Sequence, residues 1–327
     1  MVFRSETEAA VQAADVIAAG RNTCISIQLT SCPESMERFV SLLFECHPEL
    51  IACIDTLSVR TESLGAWNEL IFDVTYTEIM ASSVLVLNQL DTVSEIMLRD
   101  VKLHRRYTVM VFPNGLEASV KKAVSQITEM PQFLDCFIKG TAVNIKRRTG
   151  FDHFAISVKY MYSCNYSDYR LRTSQMKRAI DEIVQSSRMA GLEDWKKAFS
   201  VVKYCVDNWK YGSVDEMPGA EFYSYGALVN HTAVCMGISL AVCAVFSELG
   251  IPCRYIKGMR NGEGHAWNMV FLRGGWFFID VTDAIGQHDP LHHWGMISCE
   301  DRIITDTIND PIKCTCPVSF LLHNGVI

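Results

Sequence analysis

No stretch of this 327-residue chain approaches the ~20 uninterrupted apolar residues that a membrane-crossing helix requires. The richest run, Gly237 to Ile251, is broken by Ser247, Glu248 and Gly250. No membrane partner is expected. Concentrated positive charge is also missing: 30 basic residues face 37 acidic ones, the net charge is −7, and no long run carries one sign. That argues against nucleic acid or an anionic lipid surface as the main partner, since both need clustered Lys and Arg. The opening residues Met1 to Glu8 place Glu6 and Glu8 where a secretion signal would have its apolar centre, so the expected location is the cytoplasm. No glycine-rich loop of phosphate-binding spacing is found, and no cofactor is expected. Disorder is excluded by composition, with 49% hydrophobic and 20% charged residues.

Cysteine, by contrast, is abundant. There are 13, an odd number at irregular spacing, which reads as free thiols in a reducing compartment. Cys24, Cys46, Cys53, Cys136, Cys205 and Cys243 lie in apolar stretches and read as small core residues. Cys314 and Cys316 form one close pair with no second pair nearby, which is not zinc spacing. His288, Asp289, His292 and His293 cluster as well. Adjacent His292 and His293 would point opposite ways from a strand, so no metal is assigned and a loop beside the site is expected.

Periodicity gives an α+β organisation. Cys24 to Leu29 alternates like a strand, Glu34 to His47 carries Met36, Phe39, Val40, Leu43 and Phe44 at helical spacing, and Glu69 to Tyr76 alternates again. Strand 107–112, helix 116–130 and strand 154–162 follow in the same order. The reading is an N-terminal α+β domain over 1–165, with a strand-helix-strand unit used twice at about 20–100 and 104–165. A polar stretch at 166–173 marks the boundary to a second domain over 166–327. There, helices are expected at 174–187 and 194–211, the latter with a core stripe of Trp195, Phe199, Val202, Val206 and Trp209.

The chemistry concentrates after them. A polar turn at Asn230, His231 and Thr232 precedes a helix that Gly250, Ile251 and Pro252 stop, so Cys235 falls in a first helical turn. Unpaired backbone N–H groups there favour the thiolate and can receive a developing oxyanion. Gly237 is expected to leave room for substrate beside the sulfur. Thirty residues on, His265 begins a strand-like run, and Gly274-Gly275 signals a hairpin into Trp276 to Asp280. A two-residue turn puts His265 and Asp280 on one face; a three-residue loop would bring Asp283 instead. Asp280 is preferred, with Asp283 the alternative.

Several blocks together resemble the transglutaminase-like superfamily of papain-related cysteine enzymes, bacterial type, over about residues 170–317. They are Ala233 to Gly237, Leu249 to Pro252, His265 to Asn268 and Trp276 to Thr282, with Asn208 to Tyr211 and Tyr225 to Val229 upstream and Trp294 to Asp301 downstream. Met236, Ile238 and the Thr282-Asp283 pair depart from the usual pattern. The resemblance implies a catalytic domain with a cysteine-bearing helix on an antiparallel sheet. Cys235 would be the nucleophile, His265 the general base and acid, and Asp280 the group that orients the histidine. It further implies an amide or peptide bond in a protein or peptide substrate, cleaved through a thioester by water. Alternatives are resolution by a lysine amine, which would cross-link proteins, and a binding or scaffold protein that keeps the fold without activity. Tyr225 is the candidate second oxyanion donor and Trp267 a candidate cleft wall. The sequence implies no oligomeric state.

Overall fold

The structure, a computed structural model, describes residues 2–20, 23–186, 189, 191–213, 219–260, 262–285 and 306–308. His288, Asp289, His292, His293, Cys314, Cys316 and the Trp294 to Asp301 block, for which the sequence sets expectations, lie outside the described residues. The chain divides into two compact units: one of residues 1–128 and 140–161, the other of 129–139 and 162–327. It thus crosses between the units three times.

Residues 2–162 contain one topology twice, the second copy running through 129–139 and Tyr162, which belong to the second unit. The first copy runs β1 (Val2–Phe3), α1 (Glu6–Ala18), β2 (Cys24–Leu29), α2 (Met36–Cys46), α3 (Leu50–Cys53), β3 (Ile54–Ser63) and β4 (Asn68–Tyr76). The second runs α4 (Val93–Lys102) after β5 (Val84–Val86), then β6 (Tyr107–Pro113), α5 (Glu117–Thr128), α6 (Pro131–Leu134), β7 (Ile138–Arg147) and β8 (His153–Tyr162). The strand orders are β1-β2-β4-β3 and β5-β6-β8-β7. Each copy begins with a parallel edge pair, β1 on β2 and β5 on β6, and continues with an antiparallel pair, β2 on β4 and β6 on β8. The two sheets thus share one strand order, over 2–76 and 84–162, where the sequence reading places two units at about 20–100 and 104–165. The difference lies in β1 and β5, whose two and three residues are too short to display a period.

Local chemistry explains these elements. Ser35 caps α2, accepting a hydrogen bond from the Arg38 N–H at 3.3 Å. Phe39, Leu43 and Phe44 fall on its buried face, against Ile25, Ile27 and Leu29 of β2 and Leu70, Phe72 and Val74 of β4. Full burial of such side chains contributes roughly 1.5–3 kcal/mol each. The α1 face is Ala9, Ala10, Ala13, Ala14 and Ile17, small enough for close approach.

The second unit holds α6 and the linker 129–139, then α7 (Tyr166–Ser186), α8 (Asp194–Asn208), β9 (Lys210–Tyr211), α9 (Ser224–Leu228), β10 (Thr232–Ala233), α10 (Cys235–Glu248), β11 (Cys253–Arg260), β12 (Glu263–Leu272), β13 (Gly275–Ile279), α11 (Val281–Ala284) and β14 (Asp306–Ile308). The expected polar boundary at 166–173 is the first two turns of α7. Asn165 starts that helix, its Oδ1 accepting from the Asp168 N–H at 2.9 Å. The sheet order is β13-β12-β11-β14, all antiparallel. Val270 and Leu272 pack with α10 and α8 in the main core, while Trp267 and Met269, one residue out of phase, join Ile256 and Phe278 on the other face. This is the predicted cysteine-bearing helix on an antiparallel sheet.

Candidate active site

Cys235 is the first residue of α10, and Val234 before it is extended, as a helix entry requires. Two residues upstream, Ala233 pairs in parallel with Tyr211, and the Gly212 N–H donates to the Ala233 carbonyl at 2.9 Å. The expected helix 194–211 therefore stops at Asn208. Trp209 remains buried in the core, but Lys210 and Tyr211 turn extended.

Gly237 is needed for a reason other than substrate access. A Cβ there would lie 2.2 Å from the Glu221 carbonyl oxygen and 2.8 Å from that of Tyr223. The space beside the helix is filled by the 221–223 backbone, which accepts the Val234 N–H at 3.1 Å. That short segment and the glycine together fix where α10 begins.

His265 lies near the start of β12. Its Nε2 meets Asp280 Oδ2 at 2.8 Å, with the His265 side chain 12% exposed and Asp280 fully buried. The β12–β13 turn is Arg273-Gly274, since Leu272 pairs with Gly275, and both turn residues have positive φ (45° and 85°). The expected Gly274-Gly275 turn is off by one residue. Its two-residue length is right, so parity holds and Asp280 projects from the His265 face. Arg273 tolerates the unusual turn position while its guanidinium pairs with Glu193 at 2.5 Å and lies over the Trp195 ring.

Asp280 does more than hold the histidine. It is the N-cap of α11, and its Oδ1 accepts the Asp283 N–H at 3.1 Å. Arg260 Nη1 donates to the same Oδ2 that meets His265, at 3.1 Å, and its Nη2 pairs with Asp283. Asp283, the alternative partner of the histidine, thus holds Arg260 instead. Arg260 was not singled out from the sequence, and Tyr211 entered only as the end of the Asn208–Tyr211 block, with no role at the site. Neither lies in a spacing that signals chemistry, and only the fold carries them to the site.

The Cys235 thiol and the His265 imidazole lie close enough for each to shift the other's titration. Because Asp280 takes Nε2, the nitrogen left for sulfur is Nδ1. Burial pushes the Cys235 thiol up, but the His265 hydrogen bond, the Ala266 and Met236 backbone and the nearby imidazolium charge outweigh it, and the net shift is downward. For His265, burial works downward, yet the bonds to Asp280 and Cys235 and their negative charge raise it to about 9. The two shifts run in the directions that favour a thiolate–imidazolium pair.

Tyr211 lies beside Cys235, and burial, followed by the thiolate charge, raises its hydroxyl. Tyr225, the expected oxyanion donor, is elsewhere: its hydroxyl donates to Gln175 Oε1 at 3.0 Å and its ring meets Phe137 and Arg172. Trp267 stacks on the imidazole at 5.6 Å between centroids and is fully buried, so it backs His265 instead of walling an open cleft. Asn268, on the opposite face, ties β12 to α10 through Ser239 O at 2.9 Å and Cys243 Sγ at 3.2 Å.

A family model of the transglutaminase-like superfamily matches residues 180–281, a span that includes Cys235, His265 and Asp280. No curated protein matches the chain. Among solved structures, one of a TGase aligns at 15% identity over 65% of this chain and 64% of its own, with a TM-score of 0.31. The periplasmic domain of TgpA from Pseudomonas aeruginosa, bound to ethylmercury, aligns at 17% identity over 43% of this chain and 60% of its own, with a TM-score of 0.28. The alignment covers less than two thirds of either structure's length. Among the described residues, no helix is long and apolar enough to cross a membrane.

Proposed function

We propose that this protein is a cysteine-dependent acyl-transfer enzyme that hydrolyses an amide or peptide bond in a protein or peptide substrate. The observation that carries the reading is the continuous line from thiol to imidazole to buried carboxylate, closed by the 2.8 Å His265–Asp280 contact. The Cys235 thiolate attacks the amide carbonyl carbon, and the carbonyl pair moves to oxygen. That oxyanion is met by the Cys235 N–H, with the Tyr211 hydroxyl as the side-chain donor beside it. Collapse breaks the C–N bond, and the His265 imidazolium gives its proton to the leaving amine. Neutral His265 then takes a proton from water as it attacks the thioester, which releases the acid and restores the thiolate–imidazolium pair. Asp280 keeps the ring oriented and stabilises its cationic form. We place the enzyme in the cytoplasm, in keeping with ten free cysteines among the described residues.

The test is release of amine from a glutamine- and peptide-amide library by the wild-type chain and by Cys235→Ala. The proposal expects turnover only in the wild type, and thioester capture by hydroxylamine. If added primary amines are incorporated faster than water resolves the thioester, the transferase reading replaces hydrolysis. Equal, background rates for the two chains would leave the fold as a binding scaffold.

A further inference from the structure

A second pair of thiols sits on the elements that carry the first site. Cys243 lies eight residues after the nucleophile on α10, and Cys253 opens β11. Their sulfurs are 3.6 Å apart, in van der Waals contact, with neither in a disulfide. Asn268 holds one side of the pair, donating Nδ2 to Cys243 Sγ at 3.2 Å while the same group donates to Ser239 O at 2.9 Å. A buried amide that donates to sulfur fixes the side chain in place. The mechanism proposed above uses neither thiol.

We propose that Cys243 and Cys253 form a reversible disulfide, a modification site separate from Cys235, with hydrogen peroxide as oxidant. Closing from 3.6 Å to the covalent ~2.05 Å needs side-chain movement of about 1.6 Å between two adjoining elements. Cys253, the half-buried member, attacks a peroxide oxygen as thiolate; an S–O bond forms, the O–O bond breaks and one water leaves. The Cys243 sulfur then attacks that sulfenic sulfur, the S–S bond forms, the S–O bond breaks and a second water leaves. The two sulfurs give up two electrons in total, the peroxide accepts both, and the two thiol protons end in water. Burial, and then the neighbouring Cys243, hold the Cys253 thiol well above the ordinary range, so the reaction runs faster at pH 9 than at pH 7. The bridge closes a short loop between the nucleophile-bearing helix and the sheet and stabilises both.

The experiment uses the full chain carrying Cys235→Ser, so that oxidation of the nucleophile does not obscure the result. The reduced protein is treated with hydrogen peroxide, quenched in acid, alkylated with N-ethylmaleimide in denaturant, digested and read by mass spectrometry. The expected product is a peptide pair joined through Cys243 and Cys253, lighter by two hydrogens and reversed by dithiothreitol. The oxidised chain should melt a few degrees higher than the reduced one, and Cys253→Ser should abolish both changes. Recovery of both residues as maleimide adducts, or as separate sulfinic acids, overturns the proposal, as does preferential pairing of either with another cysteine. The peptide map needs no variant at either position, so a Cys253→Ser chain that fails to fold does not blur the outcome.

Discussion

At the scale of single residues, two acids three apart in the chain have opposite duties, and the difference is testable. Asp280 accepts from His265, Arg260 and a backbone N–H while fully buried; Asp283, one third exposed, holds only Arg260 among these. Asp280→Asn should cut kcat/KM by about 10²–10⁴, the range seen when an orienting carboxylate is lost from a triad. Asp283→Asn should cost far less, and steady-state rates on one amide substrate compare the two. The raised His265 and lowered Cys235 also give a pH signature. Iodoacetamide should alkylate Cys235 below pH 7, where ordinary thiols with a pKa of ~8.5 react slowly. Hydrolysis should fall as pH rises through about 9, because the imidazolium that protonates the leaving amine is lost. Arg260 opposes that imidazolium by placing a second cation on the same carboxylate oxygen. Arg260→Met should therefore move the high-pH limb upward, and a pH–rate profile reads the shift.

At the scale of elements, the start of α10 is set by packing against a turn that no periodicity announces. The 221–223 backbone occupies the place a Gly237 side chain would need, within 2.2 Å. Gly237→Ala should destabilise by about 1–3 kcal/mol through overpacking, despite the better helix propensity of alanine. Urea unfolding with a fixed m-value is the measurement, and a neutral or stabilising result would contradict this packing account. The sequence shows a glycine after the cysteine and suggests substrate space; only the fold reveals backbone there. The hairpin makes a similar point. Its turn is one residue earlier than the glycine pair suggests, yet two-residue length alone decides which face Asp280 joins, so the functional consequence was legible although the turn was not.

At the scale of the whole molecule, the unit that carries Cys235 includes a segment that precedes the last hairpin of the other unit. Residues 129–139 group with it, and Asp135 receives the Ser224 N–H at 2.9 Å beside a Phe137–Tyr223 ring contact of 4.8 Å. A fragment starting at Tyr162 loses these partners and leaves the buried Ser224 N–H without its Asp135 acceptor, at a cost of about 1–3 kcal/mol for that group alone. It should show weakened near-UV circular dichroism and a broadened melt, whereas a fragment starting at Glu129 should keep a cooperative transition. Stability also carries the His265 linkage. With its folded value raised to about 9, the histidine's contribution is full below ~6.5 and disappears as pH rises through about 9. Melting temperature against pH for wild type and His265→Ala should converge at the alkaline end.

Much was determined by the chain read alone, because it rests on local rules. Alternation marked β2, β4, β6 and β8, and helical spacing marked α2, α5 and most of α8. The helix-start position of Cys235 and the parity joining His265 to Asp280 follow from spacing counted along the backbone. Other features were decided only in three dimensions. The short parallel strands β1 and β5 exist by pairing, since two or three residues have no period of their own. Tyr211 reaches the sulfur because β9 lies beside β10, Arg260 reaches Asp280 across 20 residues of sequence, and Tyr225 is drawn to Gln175 instead of the thiol. These are non-local contacts, set by which elements pack together and not by the order of residues within any one of them.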